Sequence, residues 1–229
     1  MGGDLAPLIA VVGSDGSGKS TLSAELLAHI QQTRAAESGY LGLGSGEQGR
    51  RIGRWPIIGA ALHSFLDAIA DRLREPTEPI PGYLAARYAL NKSRKRRAKF
   101  DALLQQRRAG KVIVTDRYPQ IEVPGLHDGP ILAGVATSPR LAAIQAEERA
   151  LYAAMAAYRP TLVIRLHVDV DTAMARKPDH DRALITRKVE TVPLLAFNGA
   201  PIVDIDATMP YAEELALAKV AVNKMLAGA

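Results

Sequence analysis

The sequence predicts an α/β fold of three layers, with a five-stranded parallel sheet in the middle and a lid segment beside it. Three observations predict it. The chain opens as a short apolar run, a glycine-rich turn and a helical repeat of leucines. Four more short strand-like runs follow, separated by stretches with helical spacing, the pattern of parallel strands joined by crossover helices. The composition, 48% hydrophobic and 23% charged over 229 residues, is that of a packed globular chain.

Taken in order, Leu8-Ile9-Ala10-Val11-Val12 reads as a buried parallel strand ending at Gly13. Thr21 to Gln32 places Leu22, Leu26, Leu27 and Ile30 at helical spacing. Tyr40 to Leu43 is the expected second strand, and Gly44 to Arg54 a basic loop. Ile58, Leu62, Phe65, Leu66, Ile69 and Leu73 mark an amphipathic helix, ended by Pro76, Pro79 and Pro81. A long helix is expected from about Tyr83 to Arg108, with Gly110 as its stop. Lys111 to Asp116 is the next buried strand, with a carboxylate at its C-terminal end. The segment Pro119 to Pro139 is rich in Pro and Gly, and a loop of that length in a compact domain is usually functional or disordered. Helix is expected again over Leu141 to Tyr158, from Asp171, over Lys188 to Phe197 and over Pro210 to Leu226. Strands are expected over Thr161 to Val168 and Pro201 to Ile205.

Several classes are excluded by composition. The chain has no cysteine, so disulfides, cysteine-based zinc sites and a cysteine nucleophile are ruled out. Met1 to Pro7 carries Asp4 and has no basic stretch ahead of an apolar run, so no secretory signal is visible. No segment reaches the roughly 18–20 apolar residues that span a bilayer. The longest candidate, Ile57 to Ala70, is broken by His63, Ser64 and Asp67. A cytoplasmic location fits. The formal charge of +5 and pI near 9.5 point to anionic ligands.

Gly13-Ser14-Asp15-Gly16-Ser17-Gly18-Lys19-Ser20-Thr21 matches the Walker A pattern G-x-x-x-x-G-K-[ST], between a buried strand and a helix as the motif requires. Its glycines let successive N–H groups point at phosphate oxygens, and the following helix adds its dipole. Lys19 can reach the β- and γ-phosphates, and Ser20 can place its hydroxyl on Mg²⁺. The motif indicates nucleoside triphosphate binding, with ATP and Mg²⁺ as the expected cofactors. By itself it does not separate a kinase from a GTPase, a motor or a regulatory ATPase. Asp116 ends a strand expected near this loop and can hold the metal ion or its water shell; Arg117 and Tyr118 follow it.

These two segments, Gly13 to Thr21 with Asp15 at its third position and Val112-Ile113-Val114-Thr115-Asp116-Arg117-Tyr118, resemble the phosphate loop and the Asp-Arg-Tyr strand of thymidylate kinases. Leu166 to Asp171 with Arg176, and Ile202 to Ala207, are similar to the same family's lid entry and last strand. The resemblance implies a P-loop nucleoside-monophosphate-kinase-like fold over residues 1–229, a single domain with a lid at about 176–187. It implies that Asp15 contacts the acceptor's sugar and that Arg117 grips its phosphate. Arg94, on the preceding helix, would join them, with Arg87 one heptad earlier on the same face and Tyr118 beside the acceptor. The phosphate loop has no arginine of its own, so the lid is expected to supply one: Arg176 first, then Arg182, with Lys177 between them. Lys19, Asp116, Arg117, Arg176 and Arg182 are thus the expected catalytic groups. After Tyr118 the chain reads Pro119 to Pro130 and does not match the family's base-holding segment, so the acceptor site diverges.

The expected activity is transfer of the γ-phosphoryl group of ATP to a nucleotide or nucleoside. A phosphate acceptor would need no strong base, whereas a hydroxyl acceptor needs a carboxylate, for which Asp15, Asp116, Glu122 and Asp128 are candidates. A sugar, sugar phosphate or other small metabolite is the alternative acceptor, and a regulatory nucleotide-binding protein the alternative class. The basic stretch from Lys92 to Lys99 could meet nucleic acid, but few aromatics interleave with it. Ile58, Leu62, Phe65 and Leu66 beside Arg50, Arg51 and Arg54 could lie on a membrane surface; core or dimer packing is the reading preferred, which leaves a homodimer open. His127, His167 and His180 form no recognisable metal cluster, and His167 reads as a packed strand residue.

Overall fold

The computed structural model describes residues 5–42, 69 and 72–228. Five strands, β1 (Leu8–Gly13), β2 (Ala36–Ser38), β3 (Val112–Thr115), β4 (Leu162–His167) and β5 (Ile202–Asp206), form one all-parallel sheet in the order β2-β3-β1-β4-β5. The described helices are α1 (Lys19–Gln31), α2 (Tyr83–Arg108), α3 (Pro139–Ala156), α4 (Val170–Arg176), α5 (Arg182–Thr191) and α6 (Tyr211–Ala227). A 3₁₀ turn, Val192–Leu194, follows α5.

β1 shows why the sheet is a middle layer. Its alternate side chains enter different cores, as the two-residue period of a strand requires. Ile9 and Val11 pack with Leu22 and Leu26 of α1 and Val222 of α6. Leu8, Ala10 and Val12 pack with Phe100 and Leu104 of α2 and with Tyr152 and Met155 of α3. A third cluster, including Leu73, Leu90, Leu132 and Ile144, lies between α2, α3 and the segment that follows β3.

Helix ends follow local chemistry. Ser138, Asp169 and Asp181 cap α3, α4 and α5, each accepting a hydrogen bond from the amide three residues on. Gly110, at φ +82°, turns the chain from α2 into β3, a backbone conformation that glycine adopts without strain.

The second strand lies earlier than the apolar pattern suggests. β2 spans Ala36–Ser38, and Tyr40 to Gly42 of the expected strand are irregular, while Leu43 lies outside the described residues. It is an edge strand, so it needs no continuous apolar run. Leu41 instead turns inward to the core while Tyr40 stays exposed. The helix expected over Lys188 to Phe197 begins at Arg182, where Asp181 caps it, and ends at Thr191. The basic loop 44–54 and the face carrying Ile58, Leu62, Phe65 and Leu66 lie outside the described residues. Among the described residues, no helix is long and apolar enough to cross a membrane.

The Pro/Gly-rich segment after β3 is irregular yet tightly held. Gln120 is fully buried; its Nε2 donates to the carbonyls of Val123 (2.9 Å) and Leu126 (2.8 Å), and its Oε1 accepts from the Val123 amide (2.8 Å). From α3, Glu148 accepts from the amides of Ile131 (3.2 Å) and Leu132 (2.7 Å). Gln145 donates to the carbonyls of Leu132 and Gly134, both at 2.8 Å. Side chains thus satisfy the backbone where no sheet or helix can.

Candidate active site

The phosphate loop joins β1 to α1. Gly18, at φ +88°, is the N-cap of α1, and no side chain caps it, so the first N–H groups of the helix are left for a ligand. Gly16 lies so close to α4 that a Cβ would sit 2.7 Å from the Ala173 carbonyl oxygen. The buried Ser17 hydroxyl has no hydrogen-bond partner among the described residues. Lys19 Nζ donates to the Ser14 carbonyl (3.0 Å) and stands 3.5 Å from Asp15 Oδ1. Burial holds its pKa below the usual lysine value.

Ser20 Oγ donates to Asp116 Oδ2 at 2.6 Å, which brings the end of β3 to the start of α1. A hydroxyl and a carboxylate are hard oxygen donors of the kind Mg²⁺ takes. Among the described residues no group of three or more histidine or carboxylate ligands stands together. A cation held here would therefore rely on this pair together with ligand and water oxygens.

Gly13, Asp15 and Lys19 open onto a cleft of about 730 Å³, whose other walls include Arg117, His127, Asp128 and, from α5, Arg187 and Lys188. Two carboxylates in it are each shared by two cations. Asp15 lies between Lys19 and Lys188, whose Nζ is 2.5 Å from Oδ2. Burial opposes its ionisation, but the two ammonium groups hold its carboxyl far below the usual range. Asp128 Oδ1 accepts from Arg96 (2.6 Å) and Arg117 (3.4 Å). Burial again opposes ionisation, and Arg96 and Arg117 hold Asp128 below the ordinary carboxylate value. His127 Nε2 lies 2.9 Å from the Thr191 hydroxyl, which itself donates to the Arg187 carbonyl and so accepts from the ring. Burial, reinforced by Lys188, lowers the pKa of His127 to about 4, and the ring is neutral at pH 7.

The structure brings Gly13, Asp15, Gly16, Ser17, Gly18, Lys19, Ser20, Thr21, Asp116 and Arg117 to one end of the sheet. It places the other candidates elsewhere. Tyr118 is turned into the core, where its ring meets Phe100 and Phe197 edge-on and its hydroxyl donates to the Tyr158 carbonyl. Arg94 points outward and pairs with Glu147 of α3 at 2.5 Å. Arg87 is exposed, over the ring of Tyr83. Neither arginine lines the cleft; the α2 residue that does is Arg96, two positions beyond Arg94. Arg176 braces the phosphate loop from outside, donating to the carbonyls of Gly16 (3.1 Å) and Ala207 (2.9 Å). Arg182 is exposed and pairs with Asp171, while the α5 cations that face the cleft are Arg187 and Lys188. Glu122 lies off the cleft, accepting from the Asn198 amide.

A signal for Arg96 existed. It stands seven residues after Ala89 and seven before Leu103, on the buried stripe of α2. Arg187 and Lys188 have no such signal, because they belong to a short polar helix.

No protein-family model matches the chain. Its structure is similar to that of a deoxyadenosine kinase from M. mycoides with bound dATP, with a TM-score of 0.54 over 95% of this chain and 99% of that one, at 17% identity. Sheet order, phosphate loop and this likeness define the class: an α/β protein with the fold of the P-loop kinases. More particularly, the chain belongs to the family of the Escherichia coli proteins YghR and YghS. It is 39% identical over 218 residues to the uncharacterized ATP-binding protein YghR of strain K12, covering 94% of this chain and 86% of that one. It is 41% identical over 210 residues to the uncharacterized ATP-binding protein YghS of the same strain, covering 91% and 89%.

Proposed function

We propose that this chain is an ATP- and magnesium-dependent phosphotransferase that moves the γ-phosphoryl group to a small nucleotide or nucleoside acceptor. One observation carries the reading: a single cleft is bounded by the phosphate-loop residues Gly13, Asp15 and Lys19 and by Arg117, Asp128 and the α5 cations. A nucleotide sensor needs the first set alone; the second gives room and polar contacts for another reactant. The names of YghR and YghS and the fold shared with a deoxyadenosine kinase support the nucleotide half of this reading.

In such a reaction the amides at the start of α1 hold the phosphate tail, and Lys19 neutralises charge on the transferring group. Ser20 and Asp116 would hold the metal ion, which would supply Lewis-acid stabilisation of the phosphate oxygens. Arg117 orients the acceptor, and Arg187 and Lys188 replace Arg176 and Arg182 as the cations that close over it. The whole chain then acts as one kinase domain with α5 in its lid, and its partners are small molecules. Titration calorimetry with ATP and Mg²⁺, followed by an acceptor-stimulated assay of ADP release, tests this. Nucleotide binding with no acceptor that accelerates ADP release would instead identify a regulatory protein.

A further inference from the structure

Four cations that line the cleft, Arg96, Arg117, Arg187 and Lys188, are each matched by a carboxylate. Lys188 is paired with Asp15 at 2.5 Å and Arg187 with Glu75 at 2.5 Å, while Arg96 and Arg117 share Oδ1 of Asp128. Arg96 is 2% exposed and spends its other donors on the carbonyls of Leu41 (2.9 Å) and Asp128 (2.9 Å) and on the Tyr152 hydroxyl (3.0 Å). Four of its five donors are thus held within the protein, which makes it a clamp for Asp128. The clamp also sets the backbone of Asp128, which sits at φ +62°. Both arginines bond the same carboxylate oxygen of a residue that lines the cleft, so the other, Oδ2, keeps its lone pairs for a further donor. Among the described residues it receives no hydrogen bond.

This arrangement discriminates between acceptor chemistries. A phosphate dianion placed beside Arg117, Arg187 and Lys188 would meet Asp128, Glu75 and Asp15 at the same time. It would have to displace a carboxylate from each cation it used, at the cost of like-charge repulsion in a partly desolvated site. An uncharged hydroxyl displaces nothing and satisfies the waiting oxygen. Resting on the kinase reading above, we propose that the acceptor is an uncharged polyhydroxyl compound of the nucleoside or sugar kind, and that Asp128 binds its attacking hydroxyl through Oδ2. In the transfer, the acceptor oxygen bonds to the γ-phosphorus as the bond from that phosphorus to the β-bridging oxygen breaks. ADP leaves with the bonding pair, and the hydroxyl proton passes to Asp128 Oδ2 and then to solvent. A loose phosphoryl-transfer transition state releases this proton late, so an ionised carboxylate suffices without being a strong base.

The test uses the full chain with ATP and Mg²⁺ and presents acceptors in matched pairs: common nucleosides and their 5′-monophosphates, and common sugars and their phosphates. The uncharged member of a productive pair is expected to have a kcat/KM about tenfold or more above its phosphorylated partner. Which set is productive separates nucleoside from sugar. With that acceptor, Asp128→Asn is expected to lower kcat roughly a hundredfold while leaving the heat of ATP binding unchanged. A preference for the phosphorylated member in every productive pair overturns the inference and leaves the kinase reading standing. Retained kcat in folded Asp128→Asn also overturns it. ATP binding without turnover on any pair overturns both. If Asp128→Asn does not fold, because Arg96 is left unpaired, the wild-type pair comparison decides alone.

Discussion

Lys19 is an ammonium group drawn into a pocket where burial already disfavours its charge, with the Ser14 carbonyl and Asp15 as its protein partners. Lys19→Ala removes that charge without opening an apolar cavity. Turnover is expected to fall by a factor on the order of 10² or more, while the thermal midpoint stays within a few degrees, as checked by ADP release and circular dichroism. His127 makes a separate prediction about pH. Its pKa is about 4 in the folded chain against 6.5 in the ordinary case. Between these values the unfolded chain binds the proton and the folded chain does not, so stability is full above pH 6.5 and declines as pH falls toward 4. The loss is about 2–3 kcal/mol. Urea unfolding at pH 7 and pH 4.5 should show this drop in the wild type and a flatter response in His127→Gln. The depressed carboxylates act at lower pH; Asp204, paired with Arg165 and His167 and held at about 2, loses its contribution only as pH falls below its ordinary 3.8.

At the scale of elements, α5 decides which charges reach the cleft. Asp181 caps its first turn, and over the ten residues of the helix Lys188 and Arg187 come to face Asp15 and Glu75. Arg182, at its first position, faces Asp171, and the two side chains are 62% and 83% exposed. Exposed pairs of this kind contribute about 0–1 kcal/mol. Lys188→Ala is therefore expected to lower kcat/KM by roughly tenfold or more, and Arg182→Ala by less than about threefold, in the same steady-state assay. A larger effect at Arg182 would instead favour the cation at the first position of α5. The phosphate loop was legible in the sequence because its function is local: nine consecutive residues between a strand and a helix suffice to form it. The α2 arginines were not, because Arg94, Lys95, Arg96 and Arg97 are consecutive cations on different faces of one helix, and only packing chooses between them. Ser93 and Phe100 mark the buried face, and Arg96 shares it.

Across the whole molecule, the cleft depends on ties between layers that are far apart in the chain. Glu148 of α3 accepts from the Ser93 hydroxyl of α2 (2.5 Å) and from two amides of the segment after β3, all buried. Burial raises its pKa, and Ser93 and the amides oppose that rise. Glu148→Ala strands these donors and is expected to destabilise the fold by about 2–4 kcal/mol in urea unfolding. Acceptor KM should rise more than ATP KM, since the loosened segment carries Asp128. The amino-acid sequence alone determined the parallel α/β architecture and the phosphate loop, because strand alternation, helical spacing and a glycine turn act between near neighbours. Tertiary structure alone decided which of many arginines and lysines meet in the cleft, that Tyr118 belongs to the core, and that Asp128, in the irregular segment after β3, is held by Arg96 of α2. Those outcomes depend on which faces of distant segments pack together, and a charged side chain carries no mark in the sequence of the face it will occupy.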